Sequence, residues 1–170
     1  MPMTADYNRE DVELDALYRD TVLDHYRSPR GRKTLDRVDL SRDGHNPLCG
    51  DRLTLSLKLS GDKIADVAVK GNGCAISIAS ASMLAEMLPG MTRGDAQRLA
   101  EIFRQMMHGH PAPAGVDVGD LDSLEGVRQF PVRIKCALLA WMTLVDVLRQ
   151  ADSGTAETSI TVTENDGEVV

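Results

Sequence analysis

Residues 53–69 read LTLSLKLSGDKIADVAV, and this stretch decides the fold. From Leu53 to Leu59 every second residue is a leucine and the residues between are polar, which is the period of a strand with one buried face. Gly61-Asp62 then supplies a tight turn. Apolar residues return after the turn at Ile64, Val67 and Val69. The stretch therefore predicts an antiparallel hairpin at the centre of a small sheet.

The segment before this hairpin predicts a helix and then a loop. A helix is expected from Asp11 to Arg27, because apolar residues recur there at helical spacing and Ser28-Pro29 follows its end. The recurring residues are Leu14, Leu17, Tyr18, Val22 and Tyr26. Residues 41–47, SRDGHNP, are polar and are expected to form a loop that leads into the hairpin.

The segment after the hairpin predicts three helices. Small residues from Ala75 to Met87 suit a helix that packs closely against a sheet. A second helix is expected to run to about Met107, with Thr92 as its N-cap and Asp95 at the third position. Residues 108–126 are rich in Gly, Pro and Asp and predict a long loop with one helical turn at most. A last helix, begun by a proline and deeply buried, is expected over residues 131–148.

These elements predict an α+β fold, in which a small antiparallel sheet has helices packed on one side. Residues 1–150 are expected to form a single domain, a length that can bury a core without disulfides. Residues 151–170 contain five acidic residues and no Lys or Arg, and are expected to form a disordered tail. A short strand within residues 158–163 is the alternative for part of this tail.

Composition excludes several classes of protein. The formal net charge is −7, which argues against a general nucleic-acid binder. The N-terminal residues are charged throughout and are not expected to form a signal peptide, and no apolar run reaches the length of a membrane helix. The odd count of three cysteines fits metal-bound or reactive thiols in a reducing cytoplasm better than disulfides.

The three cysteines are the main candidates for chemistry, because each is expected near an element boundary. Cys49 precedes the hairpin, Cys74 begins a helix after a Gly-rich turn, and Cys136 lies in the first turns of the last helix. A helix N-terminus lowers the pKa of a thiol and favours the thiolate, the form that binds metal and attacks sulfur. With Asp51 they make a donor set suited to Zn²⁺. Because no C-x-x-C pair is present, small buried cysteines remain the alternative.

Three motifs and the first helix resemble those of the iron–sulfur assembly scaffold superfamily, to which the IscU and NifU-like proteins belong. The motifs are Asn46-Pro47-Leu48-Cys49-Gly50-Asp51, then Gly71-Asn72-Gly73-Cys74-Ala75-Ile76-Ser77, and then residues 133–141, RIKCALLAW. The segment Asp24-His25-Tyr26-Arg27-Ser28-Pro29-Arg30-Gly31 is similar to that family's first helix. The resemblance covers about residues 14–150 in consistent order and implies the SufE/NifU-like fold.

Within this superfamily the chain is similar to the SufU branch. IscU-type scaffolds have a His immediately before the third cysteine, where this chain has Lys135. The segment from Pro89 to Phe130 is also longer than in those scaffolds, which is typical of SufU proteins. An ammonium group cannot bind a metal, so this difference weighs against a transient [2Fe–2S] cluster.

The resemblance implies an activity and a set of site residues. SufU proteins are zinc-dependent sulfurtransferases, and by motif the zinc ligands here would be Cys49, Asp51, Cys74 and Cys136. They accept sulfur from a pyridoxal-phosphate-dependent cysteine desulfurase of the SufS type, and a His of that partner takes over one zinc position. The first cysteine, here Cys49, would leave the zinc, become a persulfide and pass its sulfur to a downstream iron–sulfur scaffold complex.

Other residues near the motifs have more than one interpretation. Arg133 lies three residues before Cys136, hence on the same helix face, and either pairs with Asp51, stabilises charge on sulfur as a catalytic residue, or is an ordinary surface arginine. His25 is expected to pack or to lie on the surface rather than to act as a ligand. His45 is a minor candidate for the site or for a partner interface.

Two rival functions remain open. The first is a scaffold that assembles an iron–sulfur cluster on the same ligands, which would give a coloured protein containing iron and sulfide. The second is a structural zinc module serving as an adaptor, in which Cys49→Ala would lower stability and leave sulfur transfer intact.

Overall fold

The computed structural model describes residues 19–153 and 159–161. The strands are β1 (Leu40–Asn46), β2 (Asp51–Ser60), β3 (Lys63–Asn72) and β4 (Ser159–Thr161). The α-helices are α1 (Asp20–Arg27), α2 (Ala75–Met87), α3 (Arg93–Met107) and α4 (Pro131–Ser153), and a 3₁₀ helix covers Gly119–Gln129.

The sheet has the order β3-β2-β1-β4, and its first three strands are antiparallel neighbours. In β2 the leucines at 53, 55 and 57 are buried, while Thr54 between them is exposed and Ser56 is half-buried. The hairpin of β2 and β3 is therefore confirmed. The helices cover the buried face of the sheet, and the expected α+β class is confirmed.

Strand β1 corrects the expectation of a loop over residues 41–47. Its buried positions are Arg42, Gly44 and Asn46, none of which has an apolar side chain, so the alternation cannot be seen in the sequence. Arg42 is buried because its guanidinium pairs with the carboxylate of Asp146 on α4. Gly44 leaves room for α4, since a Cβ added there would lie 2.3 Å from Oγ1 of Thr143.

The helices lie where the sequence predicts helices, but some of them begin or end at other residues than expected. Residues 20–27 of the first expected helix form α1, whereas its residues 11–18 lie outside the described residues. Helix α2 has the expected bounds, and the backbone N–H of Asp95 donates to Oγ1 of Thr92 at the start of α3, as expected of that cap. Helix α4 continues to Ser153, beyond the expected end at Leu148.

The long loop expected over residues 108–126 is partly wrong, because the 3₁₀ helix Gly119–Gln129 occupies its second half. Acidic residues and glycine disfavour a regular helix there. Burial of apolar side chains in the core nevertheless holds this segment in helical form. These side chains are Leu121, Leu124 and Val127.

Helices α2 and α4 pack together through small residues, and this contact positions the site described below. Ser80 Oγ donates to the carbonyl of Ala137 at 2.5 Å and accepts from Nε1 of Trp141 at 3.1 Å. Trp141 is fully buried, and its ring centroid lies 5.6 Å from that of Phe103 on α3. The buried indole therefore ties three helices together, with Cys136 little more than one turn before it on α4.

The structure describes two parts of the acidic segment 151–170. Residues 151–153 end α4, and Ser159–Thr161 form β4, which pairs in parallel with Asp43–His45 of β1. A short strand is therefore present where the sequence offered one as an alternative. The rest of the segment lies outside the described residues, and its disorder stays a prediction.

Candidate metal centre

The turn between β1 and β2 carries the first two candidate ligands. Asn46 and Asp51 are paired in the sheet, and the N–H of Gly50 donates to the carbonyl of Asn46 at 2.8 Å. Gly50 has φ of +70°, a left-handed conformation that glycine adopts without strain. Cys49 is half-buried at the tip of this turn, whereas Asp51 is fully buried at the start of β2.

Asp51 and Cys74 are joined by a backbone hydrogen bond. The N–H of Cys74 donates to Oδ1 of Asp51 at 2.8 Å, and Sγ of Cys74 lies 4.0 Å from Oδ2. Cys74 is the N-cap of α2, and its sulfur accepts from the N–H of Ser77 at 3.4 Å. A buried carboxylate requires such partners, because an unpaired charge in the interior is strongly unfavourable.

Gly73 is required beside this carboxylate for steric reasons. A Cβ added at Gly73 would lie 2.8 Å from Oδ1 of Asp51 and 3.1 Å from Oγ of Ser77. The glycine-rich turn before Cys74 therefore brings the backbone close to Asp51.

Cys136 approaches from the opposite side, on α4. It is buried, and its Sγ lies 3.1 Å from Sγ of Cys49. The side chain of Asn46 is also buried here: its Nδ2 lies 3.7 Å from the Cys136 sulfur, and its Oδ1 accepts from the N–H of Leu48 at 3.2 Å. Asn46 thus connects the Cys49 turn to the helix that carries Cys136.

Three of the four residues expected from the sequence lie close together, and the fourth lies beside them. The ligand atoms of Cys49, Asp51 and Cys136 all lie within 4.8 Å of one another. Cys74 is not part of that mutually close group and adjoins it through Asp51. Thiolates with one carboxylate oxygen form a donor set that fits a tetrahedral Zn²⁺ ion.

The ionisation of the thiols is unequal. A hydrogen bond with the Cys136 thiol lowers the pKa of Cys74 to about 6, and the backbone N–H groups of Ser77 and Ile76 act in the same direction. The same hydrogen bond, burial and a hydrogen bond with Cys49 together raise the pKa of Cys136. Cys74 is therefore deprotonated more readily than Cys136.

Arg133, in the third motif, interacts with the sulfur atoms of all three cysteines. It is half-buried, one turn before Cys136. Burial lowers the pKa of Arg133, but the negative charge of Cys74 and the hydrogen bond with Cys136 outweigh it, and the pKa is raised overall. Among the described residues the partners that raise the pKa of Arg133 are the three cysteines, and the salt bridge with Asp51 that the sequence offered as one role is not seen.

The structure separates two histidines from this centre. The pleat of β1 places His45 on the opposite face from Asn46, so His45 is not brought to the cysteines. His25 is buried elsewhere, between α1, α2 and the 3₁₀ helix, which agrees with the expected packing role.

Two contributors to the centre, Asn46 and Gly73, lay within the quoted motifs, but sequence reasoning gave neither of them a role. The burial of Asn46 in β1 is visible only in the structure, because the sequence predicts a loop there. The close approach of Gly73 to Asp51 depends on the pairing of β2 with β3 and has no signal in composition alone.

An open cleft leads to Cys49. It is lined by Leu48, Gln129, Phe130, Pro131, Val132 and Arg133. Two large apolar side chains of this lining, Leu48 and Val132, are 55% and 57% exposed. The cleft gives a second molecule access to Cys49.

Comparison with known proteins defines the class of this chain. Residues 17–137 match the family described as the NifU-like N terminal domain, and the chain belongs to this family. The relationship to the scaffold superfamily expected from the motifs is therefore confirmed.

Particular relatives carry two different names. The chain is 41% identical over 143 residues to the zinc-dependent sulfurtransferase SufU of Bacillus subtilis, covering 84% of this chain and 97% of that protein. It is 40% identical over 139 residues to the iron–sulfur cluster assembly scaffold protein IscU of Streptococcus pyogenes, covering 82% of this chain and 87% of that protein.

Solved structures show the same fold. A Brucella abortus nitrogen-fixing NifU-like protein (N-terminal part) superposes with a TM-score of 0.77 at 26% identity, covering 84% of this chain and 99% of that one. A Fervidobacterium islandicum protein assigned as a scaffold for the SUF system gives a TM-score of 0.74 at 32% identity, covering 79% and 98%. In the described part of this chain no helix is long and apolar enough to cross a membrane.

Proposed function

We propose that this protein is a zinc-dependent sulfurtransferase that takes sulfur from a cysteine desulfurase and passes it to the iron–sulfur cluster assembly machinery. The observation that carries the proposal is the placement of half-buried Cys49 at an open cleft, 3.1 Å from the sulfur of Cys136 and within 4.8 Å of a ligand oxygen of Asp51. The Bacillus subtilis relative, named a zinc-dependent sulfurtransferase, supports this assignment.

Cys49, Asp51, Cys74 and Cys136 are the proposed zinc ligands. When bound, a Zn²⁺ ion keeps coordinating thiols deprotonated near neutral pH. The chain's own residues prepare the donors: the backbone N–H of Cys74 orients the Asp51 carboxylate, and Asn46 contacts the Cys136 sulfur. Such outer partners fix the orientation of the ligands, and their loss typically lowers metal affinity about 10- to 100-fold.

Cys49 is the proposed sulfur acceptor. Cys49 lies on a turn and borders the cleft, whereas Cys74 and Cys136 lie at the start of a helix and within one. Its thiolate attacks the outer sulfur of the desulfurase persulfide, the S–S bond breaks, and the cysteine of the desulfurase leaves as a thiolate. The transferred sulfur then forms a persulfide on Cys49, and no further oxidant is needed.

Arg133 is proposed to stabilise negative charge on sulfur during this transfer. Its guanidinium is always charged, and its raised pKa reflects attraction to the sulfur atoms of Cys74, Cys136 and Cys49. The absence of an ion pair with Asp51 among the described residues supports this role over a structural salt bridge. Arg133→Lys would keep the charge and lose the planar donor group.

The proposed partners are a pyridoxal-phosphate-dependent desulfurase of the SufS type and a downstream scaffold complex, in the cytoplasm. The apolar rim formed by Leu48 and Val132 lies where the persulfide-bearing segment of the desulfurase would enter. Sulfur transfer requires that segment to reach within bonding distance of Cys49.

Alanine release by the cognate desulfurase tests the proposed function. Zinc-loaded wild-type protein is expected to stimulate release strongly, and Cys49→Ala is expected to give no stimulation. Leu59 is half-buried and remote from the turn, so Leu59→Ala is the control for a general loss of stability. Stimulation by Cys49→Ala equal to that of the wild type would favour the structural zinc module instead.

Cluster assembly is the second candidate function, because the Streptococcus pyogenes relative is named a scaffold. Anaerobic reconstitution with iron and sulfide distinguishes the two. A colourless protein without a bound iron–sulfur cluster is expected here, since Lys135 stands where IscU-type scaffolds have a histidine. A coloured product containing stoichiometric iron and sulfide would support the scaffold.

A further inference from the structure

A second group of metal-ligating side chains lies outside the cysteine centre. His25 on α1, Glu86 on α2 and Asp120 on the 3₁₀ helix form what we call the His25 cluster. Ser82, which contacts His25, is eight residues beyond Cys74 on α2, or about 12 Å along a helix that rises 1.5 Å per residue. The cluster and the cysteine centre therefore occupy different parts of the molecule.

The donor atoms of the His25 cluster converge on one point. Nε2 of His25 lies 2.7 Å from Oδ2 of Asp120 and 3.4 Å from Oε2 of Glu86, and the three ligand atoms all lie within 4.8 Å of one another. The imidazole is only 1% exposed, whereas both carboxylates are 49% exposed. One nitrogen is thus fixed in the protein, and two oxygens face solvent, from which an ion can enter.

The surroundings of His25 suit a ligand that binds through Nε2. Nδ1 of His25 lies 2.7 Å from Oγ of Ser82, and the same oxygen accepts from the backbone N–H of Arg30 at 2.8 Å. The Ser82 hydroxyl accepts from Arg30 and can donate its own hydrogen to Nδ1, which leaves the ring proton on Nε2 to donate to Oδ2 of Asp120. A metal ion bound at Nε2 would take the place of that proton, while Ser82 holds the ring in position. Metal-binding histidines are commonly oriented by a hydrogen bond at the other ring nitrogen.

The local charge also favours a cation. Arg30 is engaged by Asp24, with Nη2 2.8 Å from Oδ2, and this contact lowers the pKa of Asp24. Nε of Arg30 lies further, 3.9 Å, from Glu86. With Asp24 offset by Arg30, Glu86 and Asp120 bring two carboxylates to this one imidazole. A divalent ion bound between them would neutralise both carboxylates.

We propose that the His25 cluster is a second metal site, which binds a divalent ion of the zinc and ferrous iron class independently of the cysteines. One imidazole nitrogen with two carboxylate oxygens is a donor set for such ions, with water completing the coordination. The sequence had given His25 only a packing or surface role. A bound ion would join α1, α2 and the 3₁₀ helix through one ligand from each.

Zinc titration of the full-length protein, purified with one zinc per chain, tests the second site. The wild type is expected to bind a second zinc ion, measured by equilibrium dialysis with metal analysis. The double variant Glu86→Gln and Asp120→Asn is expected to bind it at least about 10-fold more weakly, because two of three ligands lose their charge. Asp122→Asn is the matched control, an exposed aspartate two residues further on the same 3₁₀ helix.

Nuclear magnetic resonance of the histidine rings provides an independent readout. The second equivalent of zinc is expected to shift the His25 imidazole signals in the wild type and in Asp122→Asn, and to leave them unchanged in the double variant. The proposal is overturned if the wild type stops at one zinc per chain, or if the double variant binds the second ion as tightly as the wild type. Neither outcome bears on sulfur transfer at Cys49.

Discussion

The cysteine centre and the His25 cluster both involve α2, but they are built in opposite ways. Asp51 of the cysteine centre is fully buried and accepts from the backbone of Cys74, whereas Glu86 and Asp120 are 49% exposed. The first site has soft sulfur donors beside tight backbone turns, and the second has one buried nitrogen with two solvent-exposed carboxylates. Because Asp51 is buried and Asp120 is exposed, we expect the cysteine centre to depend more strongly on its aspartate than the His25 cluster does.

Removing the carboxylate of each site should expose this difference most strongly. Asp51→Ala is expected to weaken zinc binding at the cysteine centre on the order of 100-fold or more. It also leaves the N–H of Cys74 without its acceptor, which costs about 1–3 kcal/mol in the free energy of unfolding. Chelator competition and denaturant unfolding measure the two effects. Asp120→Ala should leave this zinc affinity unchanged, and an equal loss in both variants would contradict the comparison.

Asn46 should matter to the cysteine centre without being a ligand. Asn46→Ala removes the amide that lies 3.7 Å from the Cys136 sulfur, and zinc affinity is expected to fall about 10- to 100-fold. Asn72→Ala, at an exposed position, is the control and should bind zinc as the wild type does. Unchanged affinity in Asn46→Ala would mean that the turn and α4 are held together without this side chain.

Gly73 tests whether the close backbone turn beside Asp51 is required. Gly73→Ala places a methyl group 2.8 Å from the carboxylate oxygen, and a loss of about 1–3 kcal/mol in the free energy of unfolding is expected. Gly94→Ala is the contrasting variant, because this helical glycine has no atom nearer than 4.0 Å to an added Cβ. The free energy of unfolding of the Gly94→Ala variant should be higher than that of the wild type by about 0.5–1 kcal/mol. A neutral effect at Gly73 would show that Asp51 can move.

A surface ion pair outside both sites should have the smallest effect. The hydrogen bond from Lys33 lowers the pKa of Asp66. Because the pKa is lower in the folded than in the unfolded state, the pair stabilises the protein above about pH 4, and this contribution is lost as the pH falls through the folded pKa. Both side chains are more than a third exposed, so Asp66→Asn should cost under about 1 kcal/mol at neutral pH. Unfolding measured at several pH values checks the sign.

The sequence predicted those parts of the fold in which apolar side chains set the pattern. Leucine alternation identified β2, and the Thr92 cap identified the start of α3. It failed at β1 because the buried residue Arg42 is polar and becomes buried only by pairing with Asp146, more than a hundred residues later. A contact of that kind depends on the tertiary structure and leaves no local period.

The sequence named the candidate ligands of the site, but it did not identify the residues that hold those ligands in place. Motif resemblance named the three cysteines and Asp51, and the structure brings Cys49, Asp51 and Cys136 together, with Cys74 adjoining through Asp51. The roles of Asn46 and Gly73 depend on strand pairing and helix packing, which bring residues distant in sequence within a few ångströms. Those distances follow from the assembled fold.

Locating the transferred sulfur tests the central claim most directly. Zinc-loaded protein is incubated with the desulfurase and cysteine, trapped with an alkylating reagent that preserves persulfides, and analysed by peptide mass spectrometry. The account predicts one extra sulfur atom on the peptide that contains Cys49, and none on those that contain Cys74 or Cys136. A persulfide on Cys74 or Cys136 in place of Cys49, or none on any cysteine, would contradict it.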